Sequence, residues 1–83
     1  MDKRKPVIHD LKILPQYFSE VISLNKSFEL RKDDRDYQVG DWIKLKEWKD
    51  GNYTGRETCY RINYILRNCP EYGLMDGYCI LGW

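Results

Sequence analysis

The 83-residue sequence contains no apolar run that approaches the length of a membrane-crossing helix, so no membrane partner is expected. It has a single histidine and three cysteines, Cys59, Cys69 and Cys79, each ten residues from the next. Together with His9 the cysteines could total four zinc ligands, but structural zinc sites bring their ligands in tight pairs such as C-x-x-C. Neither a metal nor a cofactor is therefore expected, and the cysteines read as buried free thiols. An odd cysteine count with no secretory apolar stretch near the start predicts a reduced, cytoplasmic setting. No phosphate-cradling loop, dinucleotide fingerprint or H-E-x-x-H occurs, and His9 lies in a predicted strand rather than beside a cysteine nucleophile. Charge of one sign is lacking too: 14 Lys and Arg stand against 13 Asp and Glu, so no global field draws the chain to nucleic acid or membrane.

Apolar volume is present. The sequence is 42% hydrophobic, with three Trp, seven Tyr and two Phe, enough for one small ordered domain over residues 1–83 without disulfides. The basic start MDKRKP reads as a mobile tail over residues 1–6. Val7 to Leu14 reads as a strand closed by Pro15. Apolar residues at 14, 17, 18, 21 and 22 then follow helical spacing. Ser27 to Arg31 switches to period two, with Glu29 and Arg31 on one face and Phe28 and Leu30 on the other. Lys32 to Asp36 is a charged loop. Asp41 to Trp48 is the clearest strand, with Ile43 and Leu45 on its core face. Asp50-Gly51 signals a hairpin, Thr58 to Leu66 reads as one long strand, and Tyr78 to Trp83 finishes the chain inside structure. Five or six strands with one main helix after the first predict a compact α+β barrel.

Two groups of residues carry candidate chemistry. Lys26, Glu29, Arg31 and Arg35 form a charged set at the helix-to-strand corner and the loop beyond. If covered by a neighbouring element it becomes a cleft holding both signs of charge; if open it is a set of surface ion pairs worth little. Spacing alone favours the open arrangement slightly. Trp42, Trp48, Tyr37 and Tyr53 interleave with Lys44, Lys46 and Arg56, the mixture of stacking surfaces and cations used on single-stranded nucleic acid.

Leu24-Asn25-Lys26-Ser27-Phe28-Glu29-Leu30-Arg31 resembles the G-x-K-x-x-E-x-R signature of the ASCH domain in the PUA-like superfamily, with Leu24 where glycine usually stands. Nearly the whole chain is similar to a small phage and bacterial ASCH-like family. The shared motifs are H-x-L-K at His9 to Lys12, E-x-R-K-x-D-R-x-[FY]-x-V-G-D from Glu29 to Asp41, and Y-T-G-R at Tyr53 to Arg56. The resemblance implies a PUA-like β-barrel with a helix beside a cleft that binds RNA. Lys26, Arg31 and Arg35 would meet phosphate, Glu29 would orient them, His9 and Lys12 would edge the cleft, and Trp48, Tyr53 and Arg56 would extend the surface. DNA is a possible substitute for RNA. Some ASCH-like proteins deacylate N4-acetylcytidine through K-x-x-T; here Lys26 matches, Glu29 replaces the threonine, and Glu71 is the nearest substitute for a distant carboxylate. A prophage accessory module that binds a protein partner is a further alternative.

Overall fold

The period-two segments do form strands, but they separate into two small sheets. The computed structural model describes residues 4–83. In chain order the elements are β1 (Ile8–Ile13), α1 (Pro15–Ile22), β2 (Phe28–Lys32), β3 (Trp42–Lys49), β4 (Asn52–Arg61), β5 (Tyr64–Leu66), a short 3-10 turn (Pro70–Tyr72) and β6 (Tyr78–Gly82). One sheet has the order β1-β3-β4, with β1 parallel to β3; the other is antiparallel, in the order β2-β6-β5.

The expected α+β barrel is thus corrected to a mostly β pair of sheets, with no closed barrel among the described residues. Two local events account for the difference. First, the predicted long strand from Thr58 to Leu66 breaks at Ile62-Asn63. The Ile62 N–H donates to Asp41 (2.8 Å) and the Asn63 N–H to Gly82 (2.9 Å), so the chain crosses from one sheet to the other there. Second, β1 keeps an open edge. Val7 accepts from the Trp42 N–H at 2.9 Å, so the odd-numbered carbonyls of this segment face β3 and those of Asp10 and Lys12 face away. Arg35 donates to the Asp10 carbonyl at 2.6 Å and Arg31 donates to that of Lys12. Two guanidinium groups stand where a closing strand would have paired, which also blunts an exposed edge.

Leu11, Ile13, Phe18, Val21, Ile43, Leu45, Ile62, Cys79 and Leu81 fill the core between the sheets and α1. Pro15 starts the helix, supplying a fixed φ where no intrahelical N–H is needed. The Asp50-Gly51 turn has positive φ at both residues, 52° and 84°, which a two-residue type I′ hairpin requires. Cys69 and Cys79 are buried, whereas Cys59 is exposed on β4, a correction to the expectation that all three thiols are covered. Burial pushes the Cys79 thiol up to about 11, with nearby Asp33 adding to the effect.

Asp41 anchors the start of β3. Its buried carboxylate accepts two bonds from Arg4 (2.7 and 3.0 Å) and one each from the Val7 N–H (3.1 Å) and the Gln38 N–H (3.1 Å), and it meets His9 Nε2 at 2.8 Å. Of the expected tail over residues 1–6, Arg4 makes these bonds, Lys5 and Pro6 are exposed, and Met1 to Lys3 lie outside the described residues. Burial alone would raise the Asp41 pKa, but donation from Arg4, His9 and the two backbone N–H groups outweighs it and holds the carboxyl far below the usual carboxylate range. A lowered folded-state pKa gives stability that is present above the unfolded value of about 3.9 and is lost as pH falls through the folded one. Asp41→Asn is expected to lower the unfolding free energy by about 3 kcal/mol at neutral pH. In urea titrations the gap from wild type should narrow as pH drops below about 4; a gap independent of pH would contradict the assignment.

Candidate functional site

The end of α1 sets the position of Lys26. Asn25 donates its N–H to the Glu20 carbonyl (3.0 Å) and Leu24 to that of Val21 (3.0 Å), a Schellman closure with Leu24 at the left-handed position, φ 67°. Glycine normally stands there because a Cβ is strained at positive φ. Position 24 is the helix stop that turns this chain into β2. The Leu24 side chain is 76% exposed and gains little burial in return. Leu24→Gly is accordingly expected to raise stability by about 0.5 to 1 kcal/mol, read as a higher urea midpoint with unchanged slope; a lower midpoint would show that the side chain packs.

The charged face of β2 turns inward. Glu29 is buried, at 5% exposure, whereas Phe28 and Leu30 are about half exposed at 47% and 56%. Lys26 donates to one Glu29 carboxylate oxygen and, at 2.7 Å, to the Phe28 carbonyl. Arg31 donates through Nε to the other oxygen at 2.8 Å while a terminal nitrogen holds the Lys12 carbonyl. The carboxylate thus lies between two cations, and Arg31 links β2 to the edge of β1. A carboxylate at this depth is tolerated because both oxygens are engaged.

Beside this trio opens a cleft of about 490 Å³. Ile13, Leu14, Tyr17, Phe28 and Leu30 give it a largely apolar wall, and Lys12, Lys26, Glu29 and Arg31 complete the lining. The Lys26 ammonium lies 4.9 Å from the Phe28 ring centre and 5.9 Å from that of Tyr17, so aromatic faces flank the cation. Lysine carries three N–H donors and arginine five, so the internal bonds leave donors on both cations for a ligand oxygen.

The other residues expected at the site lie elsewhere. His9 does not edge the cleft; it is buried against Asp41, with its ring edge-on to Tyr37 at 4.7 Å. Tyr37, expected among the surface aromatics, is a core residue at 1% exposure, and burial raises its pKa. Arg35 is committed to the Asp10 carbonyl. Trp48 and Tyr53 pack edge-to-face at 4.9 Å on the hairpin, with the Lys12 ammonium 3.9 Å from the Trp48 ring centre. The Arg56 guanidinium lies 4.8 Å from the Phe18 ring centre. Glu71 is exposed in the 3-10 turn and does not line the cleft.

Besides Asp41, a further buried acid escaped the sequence reading. Glu47 follows Ile43 and Leu45 on the inward face of β3, at a register shift between Lys46 and Trp48. It accepts from the Thr54 hydroxyl at 2.7 Å and lies 3.7 Å from Arg56. The Thr of Y-T-G-R thus hydrogen-bonds a buried carboxylate at the register shift, and its Arg stands as the nearby counter-charge. The signal was available in the alternation of β3, which puts position 47 on the core side.

A model of the family described as Domain of unknown function (DUF3850) matches residues 8–83, covering both sheets and the cleft. The chain belongs to this family. Its similarity to a curated relative, the "Uncharacterized 12.9 kDa protein in GpA 3'region" of Escherichia phage P2, is 44% identity over 58 residues. That alignment covers 70% of this chain and 53% of the relative, so this DUF3850 chain spans about half the length of the phage protein it matches. No helix among the described residues is long and apolar enough to cross a membrane.

Removing the buried acid tests the geometry directly. Glu29→Ala strands two partly buried cations and is expected to lower the unfolding free energy by about 3 kcal/mol, measured by urea denaturation. Stability equal to wild type would mean that the trio is solvated.

Proposed function

We propose that this protein binds RNA, one nucleotide unit at a time, in the cleft between the β1-α1 corner and β2. The single observation that carries this reading is the pairing of an aromatic-flanked apolar wall with two cations held in place by a buried carboxylate. Stacking on Tyr17 or Phe28 suits the flat face of a base, and the remaining donors of Lys26 and Arg31 suit phosphate or carbonyl oxygens. A volume of about 490 Å³ falls within the usual range of small-ligand pockets. The resemblance of Leu24 to Arg31 to the ASCH signature points the same way, and a cytoplasmic location follows from that reading. Single-stranded DNA is the competing nucleic acid, since nothing in the cleft is committed to a 2′-hydroxyl.

Deacylation of a nucleoside is less well supported: both Glu29 oxygens are engaged by cations, and Glu71 is remote from the cleft lining. A protein-binding accessory role has one observation in its favour. Tyr64, together with the cleft-wall residues Phe28 and Leu30, exposes apolar surface on one face of the second sheet, at 62%, 47% and 56%.

Titration of labelled single-stranded RNA and DNA at low and moderate salt tests the proposal. Wild type is expected to bind with an affinity that falls as salt rises. Lys26→Ala/Arg31→Ala should weaken binding by at least about tenfold with the fold retained by circular dichroism. Absence of wild-type binding would overturn the reading and favour the protein-partner role.

A further inference from the structure

The cleft opens at the end of β1 beside β2, the hairpin aromatics stand on the outer face of the β1-β3-β4 sheet, and Lys12 borders both. The register stacks Lys12 beside Lys46 and Glu57, Asp10 beside Lys44 and Cys59, and Trp48 beside Tyr53, all on the face opposite the core residues Leu11, Ile43 and Leu45. Two cations sit on two rings there: Lys12 Nζ is 3.9 Å from the Trp48 ring centre and Lys46 Nζ 4.5 Å from that of Tyr53. Asp10 partly offsets Lys46 at 3.8 Å, Glu57 stands beside Lys46 on the next strand, and among the described residues Lys12 and Lys44 have no carboxylate within salt-bridge distance. Meanwhile the Lys12 carbonyl, at the open edge of β1, holds Arg31, and Lys12 also lines the cleft.

We propose that this outer face is a second, separate nucleic-acid surface: a single strand seated in the cleft continues over the open edge of β1 at Lys12, and its next bases stack on Trp48 and Tyr53. The occupant is argued from charge and shape together. Lysines placed over aromatic rings offer a cation to phosphate once a base takes the ring face, and unpaired bases supply the flat partners that a duplex withholds. An apolar peptide would leave the lysines without anions, and an acidic one would lack the flat faces that suit the rings. An open edge is also needed, because a closing strand beside β1 would wall the cleft off from this face. The continuous path rests on the reading of the cleft as a nucleotide site; the stacking face itself does not.

The test compares uridine monophosphate with an oligouridylate long enough to cross the β1 edge, using wild type, Trp48→Ala/Tyr53→Ala, Trp48→Phe/Tyr53→Phe and Lys26→Ala/Arg31→Ala. Melting curves establish that each variant folds. Removal of both rings is expected to weaken the oligonucleotide by at least about tenfold while leaving the mononucleotide unchanged, and the phenylalanine pair should restore most of the loss. Lys12→Gln should reduce the salt slope by about 0.7, one phosphate contact on a single strand. Equal oligonucleotide affinity in wild type and Trp48→Ala/Tyr53→Ala would overturn the second surface and leave the cleft standing. Oligonucleotide binding that survives Lys26→Ala/Arg31→Ala but fails without the rings would overturn the cleft and the path while leaving the face standing. No wild-type binding of either probe would overturn both.

Discussion

The Asp41 carboxylate is the constraint from which the rest of the structure follows. It gathers Arg4, the Val7 N–H, His9 and the Gln38 N–H around one buried anion, and the backbone carbonyl of the same residue receives Ile62 at the crossing between sheets. These bonds set β1 beside β3 in parallel register without a long crossover helix packed over both. With β1 so placed, its edge carbonyls at Asp10 and Lys12 face Arg35 and Arg31. Arg31 in turn meets Glu29, and Glu29 holds Lys26. Charge-assisted bonds thus recur from the fold's anchor to the cleft, and those on Asp41 and Glu29 satisfy carboxylates that would be costly to bury alone.

These bonds also explain why the cleft exists. Two sheets that closed into a barrel would satisfy the β1 edge with backbone and leave no opening there. Arginine side chains satisfy the same carbonyls but are narrower than a strand. Space therefore remains between α1, the end of β1 and β2. The charged residues of β2 face inward because the outer face carries Phe28 and Leu30, and the interior supplies each charge with a partner.

Much of this order could be read from the residues. The alternation of β2 and β3, the helical spacing after Pro15 and the Asp50-Gly51 turn each specify local structure through short-range rules. What alternation leaves open is the side on which the core lies. The strand Phe28 to Lys32 has one charged and one apolar face, and ordinary burial statistics favour turning the apolar face inward. Here the opposite holds, since compensation of Glu29 by Lys26 and Arg31 depends on tertiary placement that spacing does not encode. The break at Ile62-Asn63 was hidden for the same kind of reason. Its apolar alternation runs on unbroken, and the change of sheet is imposed by backbone bonds to Asp41 and Gly82. His9 is expected at the cleft edge from the resemblance and Tyr37 among the surface aromatics, yet His9 is buried against Asp41 and Tyr37 packs edge-on to His9.

The central claim is that Lys26 and Arg31, held by the buried Glu29 carboxylate, shape a ligand cleft at the β1-α1-β2 corner. Chemical-shift mapping of the isotopically labelled protein during addition of a nucleoside monophosphate tests it most directly. The account predicts shifts concentrated at Lys12 to Tyr17 and Lys26 to Arg31, with the Asp41 surroundings unmoved. Spectra unchanged at saturating nucleotide, or shifts confined to residues remote from that corner, would contradict it.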